Sequence, residues 1–190
     1  MSEKQSEILS RFKELPTNNH ATILTVSIKG IGMENFVDEI MSQMNTRYSI
    51  QIRTTTSLPL PKLTNAEESR PRIDYIVFIL DLTNQQSFEM IKEAVSLVDI
   101  DYFLGRCCFI LSKAKQEHLH SVDLNEVTEL VGAYNSTMLC GDLQNKKDRL
   151  DLAEKVLYHV EIACGFCNDV NPLLVATTQY SLAVGEIITT

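Results

Sequence analysis

The chain has 190 residues, of which 44% are hydrophobic and 22% charged, as is typical of one globular domain with a continuous core. Its formal net charge is −8, and no cluster of Lys and Arg offers the charge that nucleic-acid phosphates attract, so direct DNA binding is not expected. The sequence also lacks a bilayer-spanning apolar stretch, a secretory signal and a prenylation box, so we expect an intracellular protein without membrane contact.

Apolar residues alternate along the chain between strand-like runs and helical spacing. In chain order they predict a helix at 3–14, a strand at 21–28, a helix at 33–44, strands at 48–53 and 73–82, a helix at 85–98, a strand at 107–111, a helix at 122–134, a strand at 137–140 and a helix at 147–165. Apolar strands that alternate with amphipathic helices build parallel sheets covered on both faces. We therefore predict an α/β fold with a doubly wound, mainly parallel sheet. Four strands are expected to be central, with strand 48–53, polar on one face, at an edge.

The same pattern indicates a single domain at 1–175. Residues 1–16 are expected to form a helical N-terminal extension, and residues 176–190 a C-terminal tail. The stretch 55–72 is expected to be a flexible loop, because it is polar and contains three prolines.

A phosphate-binding loop would follow the first strand, because ligands of doubly wound domains bind beyond the carboxyl ends of the strands. The pattern GxxxxGK[ST] needs two glycines, a lysine and a hydroxyl residue. Only its second glycine is present, as Gly32, next to Gly30 inside the turn. Ser27 replaces the first glycine, Met33 the lysine and Glu34 the hydroxyl residue.

Glu34 argues most strongly against a bound phosphate. A carboxylate about 4 Å from a phosphate, at an effective dielectric constant of about 20, costs roughly 4 kcal/mol per unit charge. The alternative interpretation is an ordinary strand-to-helix turn, in which Glu34 favours the positive end of the helix. We therefore expect no nucleotide and no other cofactor.

Residues 74–89, which read DYIVFILDLTNQQSFE, strongly resemble the central strand, turn and helix start of Rab-like small GTPases. The guanine-reading pattern NKxD is not kept: its positions hold Ser112, Lys113 and Lys115, of which only Lys113 matches. No DxxG precedes the strand, and the stretch before residue 74 is too short for both switch segments. The resemblance therefore implies a truncated, small-GTPase-like (P-loop NTPase-like) fold that lacks the switch elements.

Three further segments together resemble the centromere protein M family: 57–61 (SLPLP), 70–74 (RPRID) and 98–105 (VDIDYFLG). The resemblance runs through most of residues 15–175. It implies an inactive small-GTPase-like subunit of the constitutive inner kinetochore, located at the centromere in the nucleus. It also implies a complex with centromere proteins H, I and K, direct contact with centromere protein I, and a role in kinetochore assembly and chromosome segregation.

A domain without a ligand pocket must act through its surface, so apolar residues in loops are the first candidates. Tyr102, Phe103 and Leu104 lie between a helix and a strand, either as a partner-binding knob or as a cap on the core. Leu174 follows the last helix and either packs back or joins Leu104 in one patch. Arg70 and Arg72 are candidates for polar rim contacts, with a solvated loop as the alternative.

Two other functions stay open from the residues alone. One is a divergent small GTPase that binds nucleotide unconventionally, and the other is a trafficking adaptor on a Rab-like scaffold. The five cysteines include Cys164 and Cys167 at CxxC spacing, but this pair closes a helical pattern and no second pair completes a zinc site. Packed or surface thiols are expected, with a metal or redox role as the alternative.

Overall fold

The computed structural model describes residues 8–16, 18–44, 47–60, 71–167 and 171. Within these residues, strands and helices alternate along the chain. The elements are β1 (His20–Val26), α1 (Met33–Gln43), β2 (Ser49–Thr55), β3 (Tyr75–Asp81), α2 (Gln85–Ser96), β4 (Cys107–Ser112), α3 (Leu124–Ala133), β5 (Thr137–Cys140) and α4 (Lys146–Cys164). Short 3-10 turns cover Ile100–Phe103 and Glu117–Leu119.

The five strands form one sheet in the order β2-β1-β3-β4-β5, and every neighbouring pair is parallel. This arrangement confirms the predicted α/β fold and the edge position of strand 48–53. The expectation of four central strands is wrong for β5, which forms the opposite edge. β5 has only four residues, and its side chains are half-buried or exposed.

Two apolar cores lie on opposite faces of the sheet, because successive side chains of a strand point to opposite sides. In β3, Phe78 and its alternate neighbours pack in the core that contains α2 and α3, while Tyr75 and Val77 face the core that contains α1 and α4. All seven residues of β3 are buried. The central strand is thus fixed from both sides.

Side chains at the helix starts explain where three helices begin. Asn84, Asp123 and Asn145 each accept a hydrogen bond from a backbone N–H in the first turn of the following helix, as favoured N-cap residues do. Gly165 ends α4 in the left-handed conformation that glycine adopts without strain. No helix in the described part of the chain is both long and apolar enough to cross a membrane.

The predicted N-terminal helix is not present in the described residues 8–16. Leu9 instead forms an isolated parallel bridge with Val98, in which its N–H donates to the carbonyl of Leu97 at 2.8 Å and its carbonyl accepts from Asp99 at 3.1 Å. Leu9 is buried, whereas Ile8 and Leu15 are exposed. The helical spacing was misleading because burial of Leu9 and its pairing with the chain after α2 decide this segment's conformation.

Candidate functional site

The turn between β1 and α1 occupies the position of a phosphate loop. Gly30 and Gly32 both have positive φ, near 84° and 85°. A Cβ atom on Gly32 would lie 3.2 Å from the carbonyl oxygen of Leu143, so packing between this turn and the loop before α4 requires glycine there. The surviving glycine therefore has a structural reason that involves no phosphate.

The other three residues of the phosphate-loop pattern, Ser27, Met33 and Glu34, line a cleft beside this turn. Ser27 is buried and donates its hydroxyl to the carbonyl of Ile28 at 3.0 Å. Met33 is half-buried at the start of α1, and Glu34 is exposed in its first turn. None of these three positions has the residue that the phosphate-loop pattern requires there.

A cleft of about 960 Å³ opens between this turn and the carboxyl end of β2. Its charged lining consists of one ammonium group, on Lys29, and two carboxylates, on Glu34 and Asp38. The space is large enough for a small ligand, but its charge has the wrong sign for a polyphosphate.

Lys113, the single residue that matches the guanine-reading pattern, makes hydrogen bonds to other side chains of the protein. The ammonium group of Lys113 lies 2.8 Å from Asp81 Oδ2 and 3.2 Å from Thr83 Oγ1. Asp81 also accepts hydrogen bonds from the N–H and hydroxyl of Thr83. Lys115, the second residue of this pattern, pairs with Asp148 at 3.1 Å. Both lysines thus tie loops at the carboxyl edge of the sheet together.

The pair of Asp81 and Lys113 gives a testable pH dependence. Burial of Asp81 by itself raises its pKa, but hydrogen bonds from Lys113 and Thr83 outweigh this effect and hold the pKa below 3.8. A lowered pKa in the folded chain stabilises the fold above the unfolded pKa, and this contribution is lost as pH falls through the folded pKa.

We therefore expect Lys113→Met to lower the free energy of unfolding by about 2 kcal/mol at pH 7. The difference from wild type should shrink as the pH is lowered through 3.8 and below. Urea denaturation followed by circular dichroism at several pH values measures both quantities. Lys146→Met, at an exposed position, is the matched control. A difference that stays constant with pH would show that the ion pair is not its cause.

The predicted partner-binding knob is only partly at the surface. Tyr102 is 0% and Phe103 4% exposed, so the expectation that these two rings are available to a partner is wrong. The Tyr102 hydroxyl donates to the carbonyl of Ile73 at 3.0 Å, and Phe103 packs against Phe78 and Tyr134. The 3-10 turn folds both rings under the end of the sheet, which was the core-capping alternative.

The other predicted interface residues differ in their positions. Leu104 follows the turn and is half-buried, so part of its side chain stays accessible. Arg72 pairs with Asp74, donates to the carbonyl of Glu14 and lies over the ring of Phe12 at 5.5 Å, so it is bound within the chain and not merely solvated. Arg70 and Leu174, like most of the predicted flexible loop 55–72 and all of the tail 176–190, lie outside the described residues.

The CxxC cysteines have unequal surroundings. Burial raises the pKa of Cys164 to about 12, so this group is a thiol at neutral pH and a poor nucleophile. Cys167 lies past the helix end and donates weakly to Glu161. Among the described residues, no group of three His, Cys, Asp or Glu side chains is placed to hold a metal ion.

The sequence analysis did not predict a cluster of charged residues at the amino ends of the strands. Arg72 and Arg106 contact Asp74, which precedes β3, and Arg11 lies close enough to Arg106 to lower its pKa. The sequence held one signal for it: Asp74 and Arg106 each stand immediately before a run of buried apolar residues. A charge in such a position is buried together with its strand.

The fold defines the class of protein: a small-GTPase-like α/β domain with a five-stranded parallel sheet and helices on both faces. The family model described as Centromere protein M (CENP-M) matches residues 6–182. The chain therefore belongs to the centromere protein M family.

Individual relatives agree with this assignment. Centromere protein M of Homo sapiens is 30% identical over 166 residues, which cover 87% of this chain and 89% of the human protein. Centromere protein M of Xenopus laevis is 27% identical over 170 residues, covering 90% and 93%. Centromere protein M of Danio rerio is 27% identical over 158 residues, covering 83% of each chain. The similarity extends through the whole α/β domain.

Proposed function

We propose that this chain is a non-catalytic subunit of the constitutive inner kinetochore, located at the centromere in the nucleus. In this proposal it assembles with centromere proteins H, I and K, contacts centromere protein I directly and stabilises it. It thereby supports kinetochore assembly and chromosome segregation. Family membership supports the centromeric location, and the resemblance of segments 57–61, 70–74 and 98–105 led to the named partners.

The observation that carries the non-catalytic part is the charge of the cleft beside the β1–α1 turn. Two carboxylates and one ammonium group line the space where a phosphate would lie. The matching lysine of the guanine pattern, Lys113, is paired with Asp81 instead. A nucleotide would be repelled by Glu34 and would find no lysine at position 33. The repulsion by Glu34 alone would weaken nucleotide binding roughly a thousandfold.

Titration with a fluorescent GTP analogue in the presence of Mg²⁺ separates this proposal from a divergent GTPase. We expect no saturable binding at micromolar concentrations. Saturable micromolar binding would refute the non-catalytic assignment. The trafficking alternative predicts membrane-associated partners, whereas our proposal predicts co-purification with centromere proteins H, I and K.

The contact with centromere protein I is tested through Leu104 and Leu174. We expect Leu104→Glu to weaken the complex about 30-fold, because a carboxylate replaces an apolar side chain in the contact, at a cost of about 2 kcal/mol. Leu174→Glu is expected to act in the same direction. Co-expression followed by affinity measurement on the purified complex gives the comparison.

Leu119→Glu is the matched control, because Leu119 is exposed. It follows β4, at the carboxyl ends of the strands, whereas Leu104 precedes β4, at their amino ends. All variants should keep the wild-type circular dichroism spectrum. If folded Leu104→Glu and Leu174→Glu both bind centromere protein I like the control, the proposed contact surface is wrong.

A further inference from the structure

Three arginines and one buried carboxylate, that of Asp74, lie close to one another at the amino ends of the strands. Asp74 is almost completely buried and accepts hydrogen bonds from Arg72 Nε at 2.6 Å and from the N–H of Thr22 at 2.9 Å. An Nη atom of Arg106 lies 3.5 Å from the backbone carbonyl of Asp74, not from its carboxylate. Arg11 reaches the same region from the N-terminal segment.

The charges of this cluster do not balance. Arg72 takes one oxygen of Asp74 and the backbone of Thr22 takes the other. Arg106 is 6% exposed, and within the described residues its guanidinium group has one long contact, with a carbonyl oxygen. The Nε atom of Arg11 is buried without a hydrogen-bond partner among the described residues. Three positive charges thus face one negative charge, and two of them lack an ion pair within the described part of the chain.

The electrostatics of Arg106 show that these groups act on one another. Burial lowers the pKa of Arg106, and the positive charges of Arg11 and Arg72 lower it further. The nearby Asp74 opposes this effect only in part. Buried donors and charges are normally satisfied, because leaving one unpaired is costly. An unsatisfied cationic cluster in a chain of net charge −8 therefore needs an explanation.

The cluster lies next to the half-buried Leu104. Arg106 follows Leu104 by two residues, and its N–H donates to the carbonyl of Tyr102 at 2.9 Å. Arg11 is two residues beyond Leu9, whose backbone pairs with the chain just before the same 3-10 turn. A partner that covers Leu104 would therefore dock at the same end of the sheet as the half-buried Arg11 and Arg72.

We propose that Arg11 and Arg72, with the positive charge of the buried Arg106 adding to theirs, bind a carboxylate side chain from an acidic segment of the partner that docks beside Leu104. Guanidinium groups bind carboxylates through paired, charge-assisted hydrogen bonds, and Arg11, which is half-buried and has no ion pair within the described residues, is the group left to make them. The proposal rests on the proposed function, because it assigns the chemistry of the same docking surface. It adds that part of the contact is ionic.

The first test uses the full chain alone with a fluorescein-labelled hexaglutamate peptide, followed by fluorescence anisotropy. We expect saturable binding that Arg11→Met weakens about tenfold and that salt screens. Arg53→Met is the matched control, because Arg53 is exposed on the edge strand β2, away from the cluster. Equal affinities of wild type, Arg11→Met and Arg53→Met, or equal losses in both variants, would overturn the site.

A stability measurement separates binding from a merely structural role. Arg11→Met removes an unpaired buried donor and one of three like charges, so its melting temperature should equal or exceed that of wild type. A structural residue would instead lose stability together with affinity. If inorganic phosphate displaces the peptide at a tenfold lower concentration than acetate does, the site is a phosphate site and the carboxylate assignment is wrong.

The second test repeats the comparison in the co-expressed complex with centromere protein I. Arg11→Met should weaken it and reduce its salt dependence, while Arg53→Met should not. If wild type forms no complex but still binds hexaglutamate through Arg11, the proposed function fails and the carboxylate site stands. If Leu104→Glu disrupts the complex but Arg11→Met changes neither affinity nor salt dependence, the docking surface stands and this inference fails.

Discussion

Asp74→Asn is expected to lower the free energy of unfolding by about 3–5 kcal/mol, the range measured when one partner of a buried ion pair is removed. The neutral amide can still accept a hydrogen bond from Thr22 or Arg72. It cannot offset the charges of Arg106, which is buried, and of Arg11, whose Nε has no hydrogen-bond partner in the described part of the chain. Urea denaturation of the wild type and the variant, with equal m-values, measures the loss.

Two further variants identify the cause. Asp151→Asn breaks an ion pair with Lys155 in which both side chains are about half exposed, so it should cost less than about 1 kcal/mol. The double variant Asp74→Asn/Arg106→Met should recover part of the loss, because it removes a charge that Asp74 had compensated. Strict additivity of the two substitutions would show that Asp74 and Arg106 do not interact.

Phe78→Ala is expected to cost about 3–5 kcal/mol, as large-to-small changes of buried aromatic residues do. Phe78 is 0% exposed in the central strand β3, and its ring stacks on Phe109 at 4.9 Å and on Phe103 at 6.4 Å between ring centres. Removal of the ring leaves a cavity between β4, which contains Phe109, and the 3-10 turn, which contains Phe103. These two elements cannot both move to fill it. Thermal and urea unfolding followed by circular dichroism give the measurement.

Met138→Ala provides the control for Phe78→Ala, because Met138 is 39% exposed on the edge strand β5. It should lose less than about 1 kcal/mol. A comparably small loss for Phe78→Ala would mean that the stacked rings repack around the space. The contact with Phe103 also means that Phe103→Ala would damage the core, and it is therefore unsuitable as a test of partner binding.

The local sequence pattern predicted the structure correctly where neighbouring residues in the chain decide which side chains are buried. The unbroken apolar run of β3 predicted a strand covered on both faces, and the polar alternation of β2 predicted an edge. The prediction that the glycine turn binds no phosphate rests likewise on Met33 and Glu34, which stand next to each other in sequence. In each of these cases, the residues that decide the structure are neighbours in the chain.

Pattern failed where a distant contact decides the conformation. Leu9 has helical spacing with Phe12, but its pairing with Val98 holds the backbone there in a non-helical conformation. In the sequence, Tyr102 and Phe103 resemble an exposed loop. In the structure they are buried, because Tyr102 donates a hydrogen bond to the carbonyl of Ile73 and Phe103 packs against the ring of Tyr134. The arginine cluster draws its members from three separate parts of the chain, so no spacing within one segment could reveal it.

The bridge between Leu9 and Val98 closes a long loop and is isolated from the sheet, and such contacts are among the first to open in local unfolding. Because the same segment carries Arg11, its opening withdraws one of the three guanidinium groups. An acidic partner would then bind the closed segment preferentially and hold it shut. Amide hydrogen exchange at Leu9 and Asp99, whose N–H groups make this bridge, would slow when the partner is bound.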